Sequence, residues 1–505
     1  MPSTPSTKSL GRRVLARIFS RRTLSALAFA VAVLATAVVG YYTIEKMRGR
    51  ALWRSYEASA QQRGVKLTLN DYVPAPIPDA QNFAAIPIFE EVFRAAREQR
   101  TTPNPFAIAG AEPPRQTPDP IYPLKSKTLD LAAWQQSFLK TKVLATATDD
   151  SARDVLKALE IYGPALQQLH EAGQRPASRF PVRWEDGVST ALPHLGVIQA
   201  ACRVYGLRLG AHLANGDSAA AYEDFHDGLR LYTALQNEPS LISGLVRISL
   251  LAILENAVWD GLMKRQWQDA ELRRIAEDLE PLRLFADYQL AMGSERGFSN
   301  LIHQQIRELS GEKTREMIAM ISGLSSTDNP RPQWVAGMLP WYPRGWIYRS
   351  QERANRYFDE MLTRVSPEPP RIFPERTIEF RAGMAKGTFE RLRYFFFNLL
   401  APALDDMEQT YARSQTWLDQ TRLGCALERY RLAQGHFPAS LDSLAPAYIA
   451  SLPRDVVNGE PLHYRVEPDG GYVVYSVAYD LKDDGGKIDP KVGAKKQADW
   501  VWSMR

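Results

Sequence analysis

Residues 24–42 read LSALAFAVAVLATAVVGYY, an apolar run interrupted only by Ser25 and Thr36. A helix rises about 1.5 Å per residue, so these nineteen residues are long enough to cross the hydrocarbon of a bilayer. The run is apolar on every side, whereas the helix of a water-soluble domain is ordinarily amphipathic. Before it stand Lys8, Arg12, Arg13, Arg17, Arg21 and Arg22 with no acidic residue, which by the positive-inside rule hold the amino terminus in the cytoplasm. The expectation is a basic cytoplasmic tail at 1–23 and a single membrane helix at 24–44 in the cytoplasmic (inner) membrane. The rest of the chain then lies in the periplasm or an equivalent extracytoplasmic space. Lys46, Arg48, Arg50 and Arg54 beyond the run reduce the charge asymmetry. A cleaved signal peptide is the competing reading, because Ala35-Thr36-Ala37 has the small residues of a cleavage site. Tyr41 and Tyr42 suit an interfacial belt and favour an uncleaved anchor.

The same basic tail accounts for the net charge of +5. Without its six cations the remainder is close to neutral, and its basic residues are scattered among acids, so no nucleic-acid partner is expected. At 505 residues, 45% of them hydrophobic and 24% charged, the chain can bury the cores of two or three domains. Cys202 and Cys425 each sit beside small residues in a helical pattern, where two buried thiols are favoured over a disulfide.

Residues 45–69 are charged and periodic enough to prolong the helix, and the prolines at 74, 76 and 78 then force extended backbone. With a second proline-rich stretch at 103–123, this makes 45–149 a connecting region. From Asp150, a plausible N-cap, apolar residues recur at three and four positions through Val155, Leu159, Tyr162, Leu166 and Leu169, then Leu195 to Leu213. Asn215-Gly216-Asp217 ends one helix and caps the next. The segment from Leu209 to Leu231 resembles one helix-turn-helix unit of a tetratricopeptide repeat, although no regular recurrence follows. Helices are also expected at Ser240 to Met263 and Asp269 to Leu282, the latter with Asp269 as its cap, so 150–399 reads as an α-helical hairpin domain. Its break from Gly323 to Trp346 carries Trp334, Trp341, Tyr342 and Trp346. They serve either as an aromatic binding surface or as core plugs.

The texture changes in 400–505. One long helix, Leu400 to Gln434, closes at Gly435, and short β-branched and aromatic runs at Leu462 to Val466 and Tyr472 to Val477 flank the turn Asp469-Gly470-Gly471. The order is ALERYR at 426–431, Gly435-His436-Phe437-Pro438-Ala439-Ser440-Leu441, Asn458-Gly459-Glu460-Pro461 ahead of Tyr464, Tyr475-Ser476, Asp480 to Gly486, and Trp502. This order resembles the soluble domain of the major pseudopilin of type II secretion over about 423–502. The resemblance implies a small α+β module with an antiparallel sheet. It also implies a calcium loop, whose candidate ligands are Asp480, Asp483, Asp484, Asp489 and Asp499, all hard oxygen donors. Lys482, Lys487, Lys491, Lys495 and Lys496 in the same segment oppose a cation, so a solvated loop stays open as the alternative. The anchor carries no prepilin-peptidase site, and only the fold is carried over.

Motifs for nucleophilic, nucleotide, dinucleotide or zinc chemistry are missing from the sequence. His212 and His226 flank the Gly216 turn and could meet Asp217, Asp224 or Asp227. Glu295-Arg296 and Arg179 to Trp184 are further candidates for binding. The expected fold class is mainly α, with a transmembrane helix, a large helical domain and a pseudopilin-like module. The expected function is a membrane-anchored scaffold or interaction protein with protein partners at the envelope, linked to secretion or envelope assembly. The alternative is an envelope hydrolase with its site in the helical domain.

Overall fold

The computed structural model describes residues 21–107, 128–308, 342–376, 388–400, 404, 406–487 and 499–504. The first helices are α1 (Arg21–Gln62), α2 (Pro87–Arg97), α3 (Leu131–Lys140), α4 (Ser151–Leu159) and α5 (Gly163–Gly173). Then follow α6 (Pro193–Ala214), α7 (Ser218–Ala234), α8 (Leu241–Met263), α9 (Asp269–Leu279), α10 (Leu284–Glu308) and α11 (Arg344–Thr363). A hairpin of β1 (Val365–Pro367) and β2 (Pro370–Ile372) precedes α12 (Thr388–Arg393), α13 (Phe395–Leu400) and α14 (Met407–Gln434). Strands β3 (His463–Val466), β4 (Tyr472–Ser476) and β5 (Trp500–Met504) form an antiparallel sheet in that order. The protein is thus mainly helical, with two small antiparallel sheets among the described residues. It divides into two compact units, one of residues 1–65, 302–355 and 385–401, the other of 66–301, 356–384 and 402–505.

In the first unit α1 changes character along its length. Residues 22–39 are exposed on every side, as expected of a segment whose apolar surface faces lipid. From Glu45 a buried stripe begins, with Glu45, Gly49, Trp53, Tyr56 and Ala60 at spacings of three and four. Its first turn is fixed by glycines. A Cβ on Gly49 would strike the carbonyl of Gly345, and one on Gly345 would strike the carbonyl of Glu45, so the two backbones touch where neither residue has a side chain. Beside this contact Arg349 Nε donates to Glu45 Oε2 at 3.2 Å, and Tyr56 donates its hydroxyl to the Asn355 carbonyl.

In the second unit α6 and α7 form the expected hairpin. Gly216 takes the left-handed conformation at φ +76°, and Asp217 accepts the Ala220 N–H at 2.9 Å. Asp150 caps α4 as read from the sequence. The single helix face expected from Val155 to Leu169 is broken by a 3₁₀ turn, because Gly163-Pro164 restarts the chain as α5. Asp269 is the first residue of α9 rather than its cap, and its carboxylate receives Arg429 Nε at 2.9 Å. α8 is apolar enough to resemble a membrane span, yet Leu250, Leu254, Val258 and Leu262 are fully buried and it serves as the core helix of this unit. Both cysteines are free thiols, and Cys202 donates to the Leu250 carbonyl.

The carboxy-terminal helix begins at Met407 rather than Leu400 and packs along α9 and α8. Gln420 Nε2 donates to the Val474 and Trp500 carbonyls at 3.2 and 2.9 Å, so the helix reads the sheet through its backbone. Trp502 is fully buried against Trp417, and Trp259 Nε1 of α8 donates to the Ser503 carbonyl of β5.

The glycine contact is testable by overpacking. Gly345→Val should destabilise the first unit by about 1–3 kcal/mol, since a rigid backbone carbonyl stands where the Cβ would go. Gly196→Ala in α6, with open space around it, should be neutral or stabilising by up to about 1 kcal/mol. Thermal melts of the full chain in detergent distinguish the two.

Candidate functional site

The second unit contains a cleft of about 410 Å³. One wall is α14, where Gln415, Leu418, Asp419 and Arg422 recur at three and four residues and so share one face. The link between α9 and α10 contributes Glu280 and Arg283, the β1–β2 hairpin contributes Pro367, Pro370 and Arg371, and the loop at 452–459 contributes Pro453 and Arg454. The prolines make two of these walls stiff, because each fixes its own φ.

Four arginines therefore line one cavity. Arg422 Nη2 meets Glu280 Oε1 at 3.1 Å, and its Nη1 lies 3.6 Å from Asp419 Oδ1. Its Nε is buried and makes no hydrogen bond among the described residues. Arg283 is turned back onto the carbonyls of Glu280 and Leu282, and Arg454 onto that of Gly459. Arg371 lies over the Phe373 ring, its guanidinium close to Gly459. Asp419 is the buried anion of the site and takes Gln415 Nε2 at 3.3 Å. Burial pushes its carboxyl up to about 6, against the pull of Arg422, Gln415 and Arg283. Glu255 of α8, itself raised by burial and by the charge of Asp419, has an Oε1 that accepts no hydrogen bond among the described residues. No histidine, serine, threonine, cysteine or lysine lines the cleft among the described residues.

The candidates read from the sequence are placed elsewhere. His226 Nδ1 pairs with Asp278 at 3.0 Å, Asp227 with His170 at 2.9 Å, and His212 lies 3.7 Å from Asp224, while Asp217 is a helix cap. The two histidines therefore do not converge. Glu295 accepts the Leu241 N–H and Arg296 pairs with Asp359, both as internal ties. Arg179 donates to the Pro74 carbonyl, and Phe180 stacks on His194 with ring centroids 4.2 Å apart. Of the aromatic break, Trp334 and Trp341 lie outside the described residues, Trp346 is buried, and Tyr342 donates to the Arg393 carbonyl.

In the aspartate loop, Asp480 accepts the Lys482 N–H, and Asp483 accepts the Gly485 N–H and the Tyr475 hydroxyl. Asp499 takes the Gly486 N–H at 2.8 Å through Oδ2, while its buried Oδ1 has no hydrogen-bond partner among the described residues. Asp484 is exposed and Asp489 lies outside the described residues. Burial, then the charges of Asp484 and Asp483, hold the Asp499 carboxyl above its ordinary value. Among the described residues no three His, Cys, Asp or Glu side chains converge closely enough to hold a metal alone.

No family model, no characterised protein and no solved structure matches the chain. The cleft was missed in the sequence because its arginines come from four separate segments. The only local signal is Asp419 three residues before Arg422, which any surface ion pair would also give.

The raised carboxyls have a consequence for stability. Burial raises Asp419 to about 6, Glu295 to about 7 and Asp224 to about 8. Each holds its proton more tightly folded than unfolded, so stability falls as pH rises from the ordinary carboxylate range through these values. His212, lowered by burial and Arg208, acts in the opposite direction only below its ordinary value of 6.5. The full chain should melt at a higher temperature near pH 6 than near pH 8.5, and Asp224→Asn should flatten the difference. Calorimetry across that range checks both.

Proposed function

We propose that the protein is a single-pass membrane protein with a cytoplasmic amino terminus. Its exported bulk is an interaction scaffold at the cell envelope, linked to secretion or envelope assembly. The observation that carries this reading is α1: exposed apolar surface at 22–39 followed without interruption by a stripe buried in a folded unit. Such a helix anchors a folded body at a membrane surface rather than tethering it by a flexible linker. The long helix followed by the antiparallel sheet β3-β4-β5 supports the pseudopilin-like reading of the last module, whose role would be docking or stabilisation. A reporter enzyme active only outside the cytoplasm should function at the carboxy terminus. Crosslinking in intact cells should recover the same envelope proteins reproducibly. An inactive reporter or an empty crosslink would overturn the reading.

One observation favours an envelope hydrolase instead, namely a carboxyl raised to about 6 in a cleft, in the range useful to a general acid or base. The cleft's described lining offers no serine, threonine, cysteine, lysine or histidine beside Asp419, only the carboxylates Glu280 and Glu368, and Glu280 is tied to Arg422.

Calcium is proposed as a ligand of the aspartate loop. The leftover Asp499 Oδ1 and the mutual repulsion of Asp483, Asp484 and Asp499 favour a hard cation, which would need Asp489, backbone carbonyls or water to complete its shell. Calcium at about 1 mM should then raise the melting temperature by a few degrees, and Asp499→Asn should remove the rise. An unchanged melt in the parent protein would identify the loop as a solvated turn.

A further inference from the structure

The cleft combines features that ordinary surface ion pairing does not require. Arginines from four segments converge on one cavity, where three carboxylates, Glu280, Glu368 and Asp419, leave an excess of one positive charge. Glu280 and Asp419 are both engaged with Arg422, whereas Arg371 and Arg454 are exposed and lie against Phe373 and Gly459. Arg422 keeps a buried Nε without a hydrogen bond among the described residues, a donor left over after both carboxylates are satisfied. That nitrogen is closed off from solvent, so a ligand would reach Arg422 through its Nη atoms, which it would share with Glu280 and Asp419. A guanidinium is a planar fork that matches carboxylate and phosphate oxygens, and several around one cavity suit an anion with more than one such group. Leu279, Leu282, Leu418 and Leu452, with Pro367 and Pro370, supply an apolar wall. The volume of about 410 Å³ falls within the range of small-molecule sites.

We propose that this cleft binds a small organic anion with at least two carboxylate or phosphate groups on a short apolar body, held by Arg283, Arg371, Arg422 and Arg454. Asp419 is then an internal competitor. It occupies Arg422 when no ligand is bound, and an entering anion must displace that interaction or share the arginine. Because Asp419 is buried it is not left behind as an unpaired charge, so an entering anion either shares Arg422 with it or releases it as the protonated acid, whose carboxyl burial already raises. The inference rests on the cleft alone and stands or falls independently of the membrane-scaffold reading.

The test uses the full chain in detergent, with citrate as the carboxylate probe and pyrophosphate as the phosphate probe, titrated by calorimetry at neutral pH. At least one probe should bind. The exposed pair Arg371→Gln and Arg454→Gln should weaken it by about tenfold or more, the scale of losing charge-assisted hydrogen bonds. Asp419→Asn, which removes the competitor without changing side-chain shape, should tighten it severalfold. Melting curves of each variant establish that it is folded. Binding of one probe and not the other assigns the anion as carboxylate or phosphate. No heat from either probe at about 10 mM, or an affinity indifferent to all three substitutions in folded protein, would overturn the proposal.

Discussion

The second unit depends on the burial of α14, a helix too polar for the hydrophobic effect alone to hold it inside. Arg413, Gln415, Thr416, Asp419, Gln420, Thr421 and Glu428 are all buried, alongside Tyr411, Leu418, Leu423 and Leu427. A buried polar group without a partner costs about 1–3 kcal/mol, so the helix depends on the partners that meet most of its buried polar side chains, although Arg422 Nε and Gln420 Oε1 have none among the described residues. Gln420 meets two strand carbonyls, Glu428 takes Arg431 at 2.6 Å, and the Thr416 and Thr421 hydroxyls bond back to the turn before them. The specific register of helix against sheet follows from these pairings, because a shift of one residue would strand Gln420.

The same constraint extends to the neighbouring helices. Arg247 of α8 lies over the Tyr232 ring and pairs with Asp287 of α10 at 2.8 Å, and Asp287 also takes the Tyr232 hydroxyl. Tyr411 of α14 reaches this group because Gly244 has no side chain; a Cβ there would meet its hydroxyl. Buried ion pairs of this kind contribute little net stability but make one arrangement of four helices strongly preferred over others, since any other leaves a charge unmatched. The cleft is the place where this polar interior reaches the surface. Asp419 belongs to both, one side facing Glu255 in the core and the other facing Arg422 and solvent.

Local signals in the sequence were good guides to local structure. The Asn215-Gly216-Asp217 turn, the Asp150 cap and the Asp469-Gly470-Gly471 hairpin appear in place, because each is decided by residues within a few positions of one another, whereas Asp269 falls one residue inside its helix. The apolar run at 24–42 was legible for the same reason. α14 could be read as a helix with Cys425 buried, but the burial of its polar residues could not be read. Its polar residues look like a solvated face until the strands and arginines that pair with them are folded around it. The cleft was illegible altogether, since Arg283, Arg371, Arg422 and Arg454 are brought together by tertiary packing alone. Likewise His212 and His226 flank one turn, but rotation along their helices points them to different partners.

The packing of α14 also bears on how the carboxy-terminal module can act. In a free-standing module the helix face opposite the sheet would meet water and would be expected to be polar. Here Gly424 lies against both Trp502 of the sheet and Leu262 of α8, and α9 packs along the same helix with Leu272, Ile275 and Leu279 fully buried. Removing the module would therefore expose the apolar faces of α8 and α9 as well as taking away the sheet. A truncation would report the collapse of a shared core rather than the loss of a docking head. The informative surface is the one that core burial leaves untouched. It comprises the outer strand β3, where Val466 is 45% exposed, and the aspartate turns beyond β4, whose side chains can be changed without unpacking α14. Apart from the cleft wall that Arg422 and Arg454 supply, the described surface left to this module for recognition lies there, because the helix face packed on α8 and α9 is already occupied by the protein itself.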